Sequence, residues 1–329
     1  MKPRKPLRIR LARFRARVSR SEKLTLMLLR FYVPFRMCRI QQKAGKIRIS
    51  KDNRSILIAD RHAPYTIDLI DNFDFYFNST KSDVDQGVPR LDVDFSEPKR
   101  HLVRGFEDFR VWVPSIVEPI ETLQQYCEVS RIEAGWRVID LGAYSAVSSM
   151  WFSDVVGPEG LVVAVEADPE TFVYAQKNVE EYFSLRGFGP NLMNVACWST
   201  DGEIEFVSEG NLGSGARDVL SRNVNSAVTV RSLTLSSIAS EWNLDRVDLL
   251  KADIEGAEYF AFSDEAFFAR YSPIIVFEPA QSSAEETHLS SLRCQLEGYG
   301  YSLVEHQQVG SRLPLVVAAR TPREPFARF

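Results

Sequence analysis

The sequence predicts an α/β fold: a doubly wound, mostly parallel sheet with helices on both faces and a β-rich region ahead of it. Three observations predict it. From Gly135 onward, short apolar runs alternate with helix-length stretches, which is the pattern of repeated βαβ units. Four of the apolar runs end near a carboxylate, at Asp140, Glu166, Asp253 and Glu278. The run Val138-Ile139-Asp140-Leu141-Gly142-Ala143 is followed, one helix-length later, by Val162-Val163-Ala164-Val165-Glu166. A buried strand, a small-residue turn, a helix and a second strand ending in a carboxylate open a nucleotide-binding unit.

The elements follow in order. Lys46 to Asp60 reads as a hairpin: Ile47 and Ile49 alternate, Lys51-Asp52-Asn53 turns, and Ile56 and Ile58 alternate back. Phe73, Phe75, Tyr76 and Phe77, then Val111-Trp112-Val113, suggest further β-rich pieces. Residues 116–129 read as a helix leading into the first core strand at 138–141. A helix at 146–155 is stopped by Gly157, and a strand follows at 161–166. Pro169 suits the first turn of a helix at 169–183, where its missing N–H is not needed. Strands are expected at 191–198, 203–207 and 227–233, with a Gly-, Ser-, Asn- and Arg-rich loop at 210–225. A helix at 235–242, strands at 247–252 and 273–277, and a helix at 287–296 come next. Strands at 301–305 and 313–319 are close in sequence, so the sheet is expected to end on a reversed, antiparallel strand.

Composition sets the outer bounds. The chain has 329 residues, 45% hydrophobic and 26% charged, as a globular protein with a sizeable core has. The net charge of −4 conceals an asymmetry: residues 1–54 hold 18 Lys and Arg against 2 Asp and Glu. The expected organisation is a basic arm over 1–54, a β-rich accessory region over 55–115 and the α/β domain over 116–329. Within the arm, Ser19 and Glu22 form a capping box, and Leu24, Met27, Leu28 and Phe31 share one helical face. Basic flanks suit a peripheral contact with an anionic membrane, and docking onto the core suits the pattern equally. No apolar run has the length of a membrane span, and no secretory signal is evident, so a cytoplasmic protein is expected, peripheral at the inner membrane face if the arm binds lipid. Cys38, Cys127, Cys197 and Cys294 lack paired spacing, which argues for free thiols in a reducing compartment.

Asp253 stands in Leu249-Leu250-Lys251-Ala252-Asp253-Ile254-Glu255-Gly256-Ala257-Glu258. Together, VIDLGAYSAV, VVAVEADPE, VRSLTLSSI, VDLLKADIEGAE and PIIVFE resemble the FkbM-type S-adenosylmethionine-dependent methyltransferases, from about residue 135 to 320. KADIEGAE is the most specific element, since the family shows Lys-x-Asp-x-Glu-Gly at this strand end. The resemblance implies a class I methyltransferase sheet of seven strands, S-adenosylmethionine as cofactor, and O-methylation of a hydroxyl on a small molecule, sugar or glycoconjugate. Carried over by position, Asp140, Gly142 and Ala143 form the turn around the methionine part of the cofactor, and Tyr144 either stacks over the cofactor or fills part of the pocket. Glu166 takes the ribose hydroxyls, Ala167 and Asp168 lie near the adenine edge with Ala196 and Cys197 on its other side, and Asp253 faces the methyl-donor end. The family has Asn and Gly where this chain has Tyr144 and Ala146.

A hydroxyl acceptor needs a base as the new bond forms. Asp253 and Glu255 are the first choices and Glu278 the next; Lys251 orients a carboxylate or the substrate, or else pairs with Glu255 on the surface. The spacing demands no metal, and His62, His101, His288 and His306 form no ligand pattern, although His288 follows the Glu278 strand end. Trp151 and Trp198 read as core. Three other functions compete. A nicotinamide enzyme needs G-x-G-x-x-G, which Gly142-Ala143-Tyr144-Ser145-Ala146-Val147 does not supply. A nucleic-acid methyltransferase would explain the basic arm but not the acidic body. A catalytically inactive scaffold held at a membrane by residues 1–54 stays open.

Overall fold

The computed structural model describes residues 38–81, 91–208, 210, 214–216, 227–279, 285–311 and 313–320. The chain forms two compact units, Met1–Pro119 with Gln281–Ser283, and Ile120–Ala280 with Ala284–Phe329. The expected helix around Leu24 and most of the expected loop at 210–225 lie outside the described residues.

In the first unit, β1 (Cys38–Lys43), β2 (Lys46–Lys51) and β3 (Arg54–Ala59) form an antiparallel meander. The β2–β3 hairpin is the one read from the alternating isoleucines. The expected limit between residues 54 and 55 falls inside it, at the start of β3. A 3-10 turn, Asp60–Tyr65, then leads into α1 (Thr66–Asp71) and α2 (Phe73–Phe77). β4 (Thr80–Lys81), β5 (Asp92–Phe95), β6 (Lys99–Val103) and β7 (Phe106–Val113) complete the unit. β5 joins the meander beside β3 in parallel, while β4, β6 and β7 form a separate antiparallel sheet. Ile47, Ile49, Ile56, Ile58, Val93 and Phe95 are buried at alternate positions.

One expectation fails here: Phe73 to Phe77 is helical, not extended. Aromatic residues favour strands when they alternate across a sheet, but Phe73 and Phe77 lie one helical turn apart. Their rings stack with centroids 5.7 Å apart, and the Arg54 guanidinium covers both.

The second unit opens with α3 (Ile120–Ser130), which begins later than expected because Pro119 restrains the residue before it. β8 (Arg137–Leu141), α4 (Val147–Val156), β9 (Leu161–Val165), α5 (Pro169–Arg186) and β10 (Asn191–Met193) follow. Next come β11 (Ala196–Cys197), β12 (Gly202–Val207), β13 (Gly215–Ala216), β14 (Ala227–Leu233) and α6 (Leu235–Glu241). β15 (Leu249–Ala252), α7 (Glu258–Ala261), α8 (Glu265–Arg270), β16 (Ile274–Phe277), α9 (Glu285–Gly298), β17 (Ser302–Gln307) and β18 (Pro314–Ala319) finish it.

Seven strands form one sheet in the order β10-β9-β8-β15-β16-β18-β17. All run parallel except β18, which is antiparallel to both its neighbours. Neighbouring side chains enter opposite layers: Ile139, Leu250 and Ile275 pack in one, Val138, Leu249 and Val276 in the other. Burial on both faces explains why these strands read as continuous apolar runs. From β8 the chain winds outward through β9 and β10, then returns to place β15 on β8's other side. This reversal opens a crevice at the carboxyl ends of β8 and β15, where ligands of open α/β sheets bind.

The expected single strand at 191–198 is two strands. β10 continues the main sheet, whereas β11 pairs with β14 in a second sheet of order β11-β14-β12-β13. The break falls at Asn194, whose side-chain amide donates to the carbonyls of Glu166 and Ala167 and turns the chain out of the sheet. The short helices α7 and α8 had no counterpart in the sequence reading.

Candidate active site

The crevice holds a cleft whose empty space, open mouth included, is about 670 Å³. Its floor is the ends of β8, β9 and β15; β11, β12 and β13 supply the facing wall. Of the residues expected at the site, Gly142, Tyr144, Glu166, Ala167, Ala196, Cys197, Asp253 and Glu255 line it. Asp140, Ala143, Asp168 and Glu278 do not.

The turn after β8 is shaped by a close approach. Gly142 has φ +76°, and a Cβ on it would lie 1.9 Å from the Asp253 backbone oxygen. Its N–H and that of Ala143 both donate to Val165 O, at 2.9 and 3.0 Å. Tyr144 and Ala146 stand where the family has Asn and Gly, and both adopt left-handed torsions, φ +51° and +62°. The backbone therefore keeps the shape that Asn and Gly favour, with a steric cost at the two substituted positions. Ala146 N-caps α4 without a side-chain hydrogen bond.

Glu166 lines the cleft from the end of β9. Its Oε2 accepts from Tyr144 N–H at 2.7 Å, and its Oε1 accepts from Asp168 N–H at 2.7 Å and the Thr171 hydroxyl at 2.9 Å. A carboxylate has about four acceptor positions, and these three donors leave one of them. Burial pushes the Glu166 carboxyl up to about 7, against the pull of those three donors. Beside it, Ala167, Ala196 and Cys197 form a small-residue apolar wall. Burial holds the Cys197 thiol far above its usual range, so it presents a neutral surface.

Asp168 is fully buried and occupied elsewhere. It caps α5 through Glu170 N–H at 2.8 Å and also accepts from the Ser208 hydroxyl, Gly210 N–H and the Ser214 hydroxyl. It thereby fixes the wall that Ser214 and Ala216 contribute to the cleft. Asp140 lies beneath the turn. Its Oδ2 accepts from the Ser148 and Ser149 hydroxyls, and its Oδ1 meets Lys251 Nζ at 3.1 Å. Lys251 is 2% exposed; it donates to Gly142 O at 3.0 Å and lies 5.7 Å from the centre of the Tyr126 ring. The alternative of a surface pair with Glu255 is thus corrected: β15 is a central strand, so its lysine points into the core. Tyr126 in turn donates to Glu278 Oε1 at 2.5 Å.

Asp253 and Glu255 are the other acidic residues that line the cleft. Burial raises the Asp253 carboxyl, as do the charges of Glu258 and Asp140, while Lys251 opposes them. Glu255 adopts φ +53°. Trp198, expected only as core, is 8% exposed yet lines the cleft, with Phe260 stacked on it at 4.1 Å. Sequence reasoning also missed Thr171 and Glu258. Glu258 was visible in KADIEGAE, but nothing in its spacing distinguished a structural carboxylate from an exposed one.

Strand order, the reversed β18 and a cleft with an acidic residue at the ends of β9 and β15 define the fold of class I, Rossmann-like methyltransferases. Residues 140–303 match the family described as methyltransferase FkbM domain. No curated protein sequence matches the chain. Among solved structures, it is similar to methyltransferase FkbM from Methylobacillus flagellatus KT, with 15% identity, TM-score 0.41, and coverage of 57% of this chain and 44% of that one. It is also similar to cofactor-bound Rv0187 from MTB (14%, TM-score 0.42, 63% and 84%) and an O-methyltransferase from Bacillus cereus in complex with SAH (14%, TM-score 0.38, 62% and 81%). The chain thus spans less than half the length of the Methylobacillus protein. No helix among the described residues is long and apolar enough to cross a membrane.

Proposed function

We propose that this protein is an S-adenosylmethionine-dependent O-methyltransferase acting on a hydroxyl of a small molecule or saccharide. The carrying observation is that Glu166 and Asp253 line one cleft from the carboxyl ends of the strands flanking β8. The residues fit the cofactor. Glu166 keeps an acceptor position for the ribose diol, and Ala167, Ala196 and Cys197 suit the flat adenine. The backbone around Gly142, which admits no Cβ, serves the methionine end.

When bound, the cofactor supplies an electrophilic methyl group on a sulfonium sulfur. The protein's part is placement and proton removal. Asp253 would act as the base that takes and holds the proton the acceptor hydroxyl gives up on methylation. A carboxyl with raised proton affinity suits this role better than an ordinary one, because base strength grows with pKa. Glu255, on the same loop, orients the acceptor. Glu278 is held by Tyr126, outside the cleft, and plays a supporting part.

Titration calorimetry with S-adenosylmethionine tests the reading. Binding by the wild type, at least tenfold weaker binding by Glu166→Ala, and unchanged binding by Asp253→Asn are expected. Absence of heat and of thermal shift at millimolar cofactor would sink it.

A further inference from the structure

Glu258 is fully buried, and its Oε1 accepts the backbone N–H groups of Ile254 and Gly256, at 3.1 and 3.3 Å. Its Oε2 lies 3.3 Å from Nε2 of His288 on α9. The two amides it holds bracket Glu255, which has φ +53°, and Gly256 has φ +100°. A glutamate in the left-handed region is disfavoured by about 1 kcal/mol or more, so the surroundings must hold the loop in that shape.

We propose that Glu258, pinned by His288, is the positioning residue of the acceptor half of the cleft: it fixes the 253–256 loop from beneath. The inference rests on the methyltransferase reading for its purpose, though not for its geometry. Two effects follow from one carboxylate. Through hydrogen bonds it sets the path of the backbone between Asp253 and Gly256, and hence the direction of the Glu255 side chain. Through its charge it raises the proton affinity of Asp253, whose other charged neighbours are Lys251 and Asp140. The first effect needs only an acceptor oxygen; the second needs the ionised group. Misplacing a catalytic group by about 1 Å can cost about a hundredfold in rate, which is why a buried carboxylate would be kept here despite its desolvation.

The test separates the two effects and needs no acceptor substrate. Amide hydrogen exchange would be followed at Ile254 and Gly256, carbon-13 NMR would titrate the Asp253 carboxyl, and calorimetry would measure S-adenosylmethionine binding. In Glu258→Ala, exchange at those two amides is expected to quicken at least tenfold while β8 and β9 stay protected. In Glu258→Gln, protection is expected to survive while the Asp253 midpoint moves to lower pH. His288→Ala should loosen the same two amides to a smaller degree. Cofactor affinity should change less than threefold in all three. An unmoved Asp253 midpoint in Glu258→Gln overturns the electrostatic effect. Unaltered exchange in Glu258→Ala, or in His288→Ala should the first variant not fold, overturns the positioning effect. Failure of the wild type to bind S-adenosylmethionine would instead count against the methyltransferase reading and leave the exchange result intact.

Discussion

Asp140 and Lys251 form a buried ion pair, Oδ1 to Nζ 3.1 Å, with neither side chain more than 2% exposed. The pair joins two adjacent strands and holds the carbonyl of Gly142 from below. Removing one partner leaves an uncompensated charge in the core, which is worth about 3–5 kcal/mol. Lys251→Met is therefore expected to lower the unfolding free energy by that order in urea denaturation. A loss below about 1 kcal/mol would show that the lysine is dispensable.

The turn above that pair predicts two opposite glycine effects. Gly142→Ala drives a Cβ into the Asp253 carbonyl at φ +76°, so it should destabilise the fold and abolish cofactor binding. Ala146→Gly removes a methyl group from a left-handed position, φ +62°. At an ordinary helical site, Ala to Gly costs about 1 kcal/mol; here strain relief should offset that cost and hold or raise Tm. A fall of several degrees in a thermal melt would contradict the strain.

Glu166 makes stability depend on pH. Its ordinary value of 4.5 rises to about 7 in the folded protein. Below both values the carboxyl is protonated in either state and its favourable contribution is complete. As pH climbs from about 4.5 to 7, the unfolded chain ionises first, so stability falls, by a shift worth on the order of 3 kcal/mol. Urea melts across that window should show a loss in the wild type that is much smaller in Glu166→Gln. On the proposed role of Glu166 the ribose hydroxyls would donate to its ionised form, so S-adenosylmethionine should bind more tightly at pH 8 than at pH 6, with proton release seen as buffer-dependent heat.

Asp168 predicts a coupled loss. Asp168→Ala removes a helix cap, worth about 1 kcal/mol, and the anchor for Ser208, Gly210 and Ser214. Faster amide exchange at Gly210 and weaker cofactor binding should appear together. If exchange quickened without any change in affinity, the wall would have no part in binding.

The main sheet was legible because its strands are buried on both faces. Runs such as Val162 to Val165 carry an unbroken apolar signal, and the strand ends placed Glu166 and Asp253 without further information. The meander strand β1 was not legible: Arg39, Gln41, Gln42 and Lys43 leave it almost no alternation, and its turn at Ala44-Gly45 lacks the usual Asn or Asp. Asp140 and Asp168 show the limit at the site. A carboxylate beside a turn reads the same whether it faces a ligand or is consumed by serines, a lysine and backbone N–H groups. Only the folded packing assigns those partners, and several are distant in sequence, as Lys251 is from Asp140.

The sheet order also governs assembly. β17 touches the rest of the sheet only through β18, which is made after it and slots between β16 and β17. Until the ribosome has delivered residues 314–319, β16 presents an open edge and β17 has no partner in the sheet. Long-range pairing of this kind is slow, and unpaired edges invite aggregation. A truncation before Pro314 should therefore yield insoluble protein even though every residue lining the cleft is present.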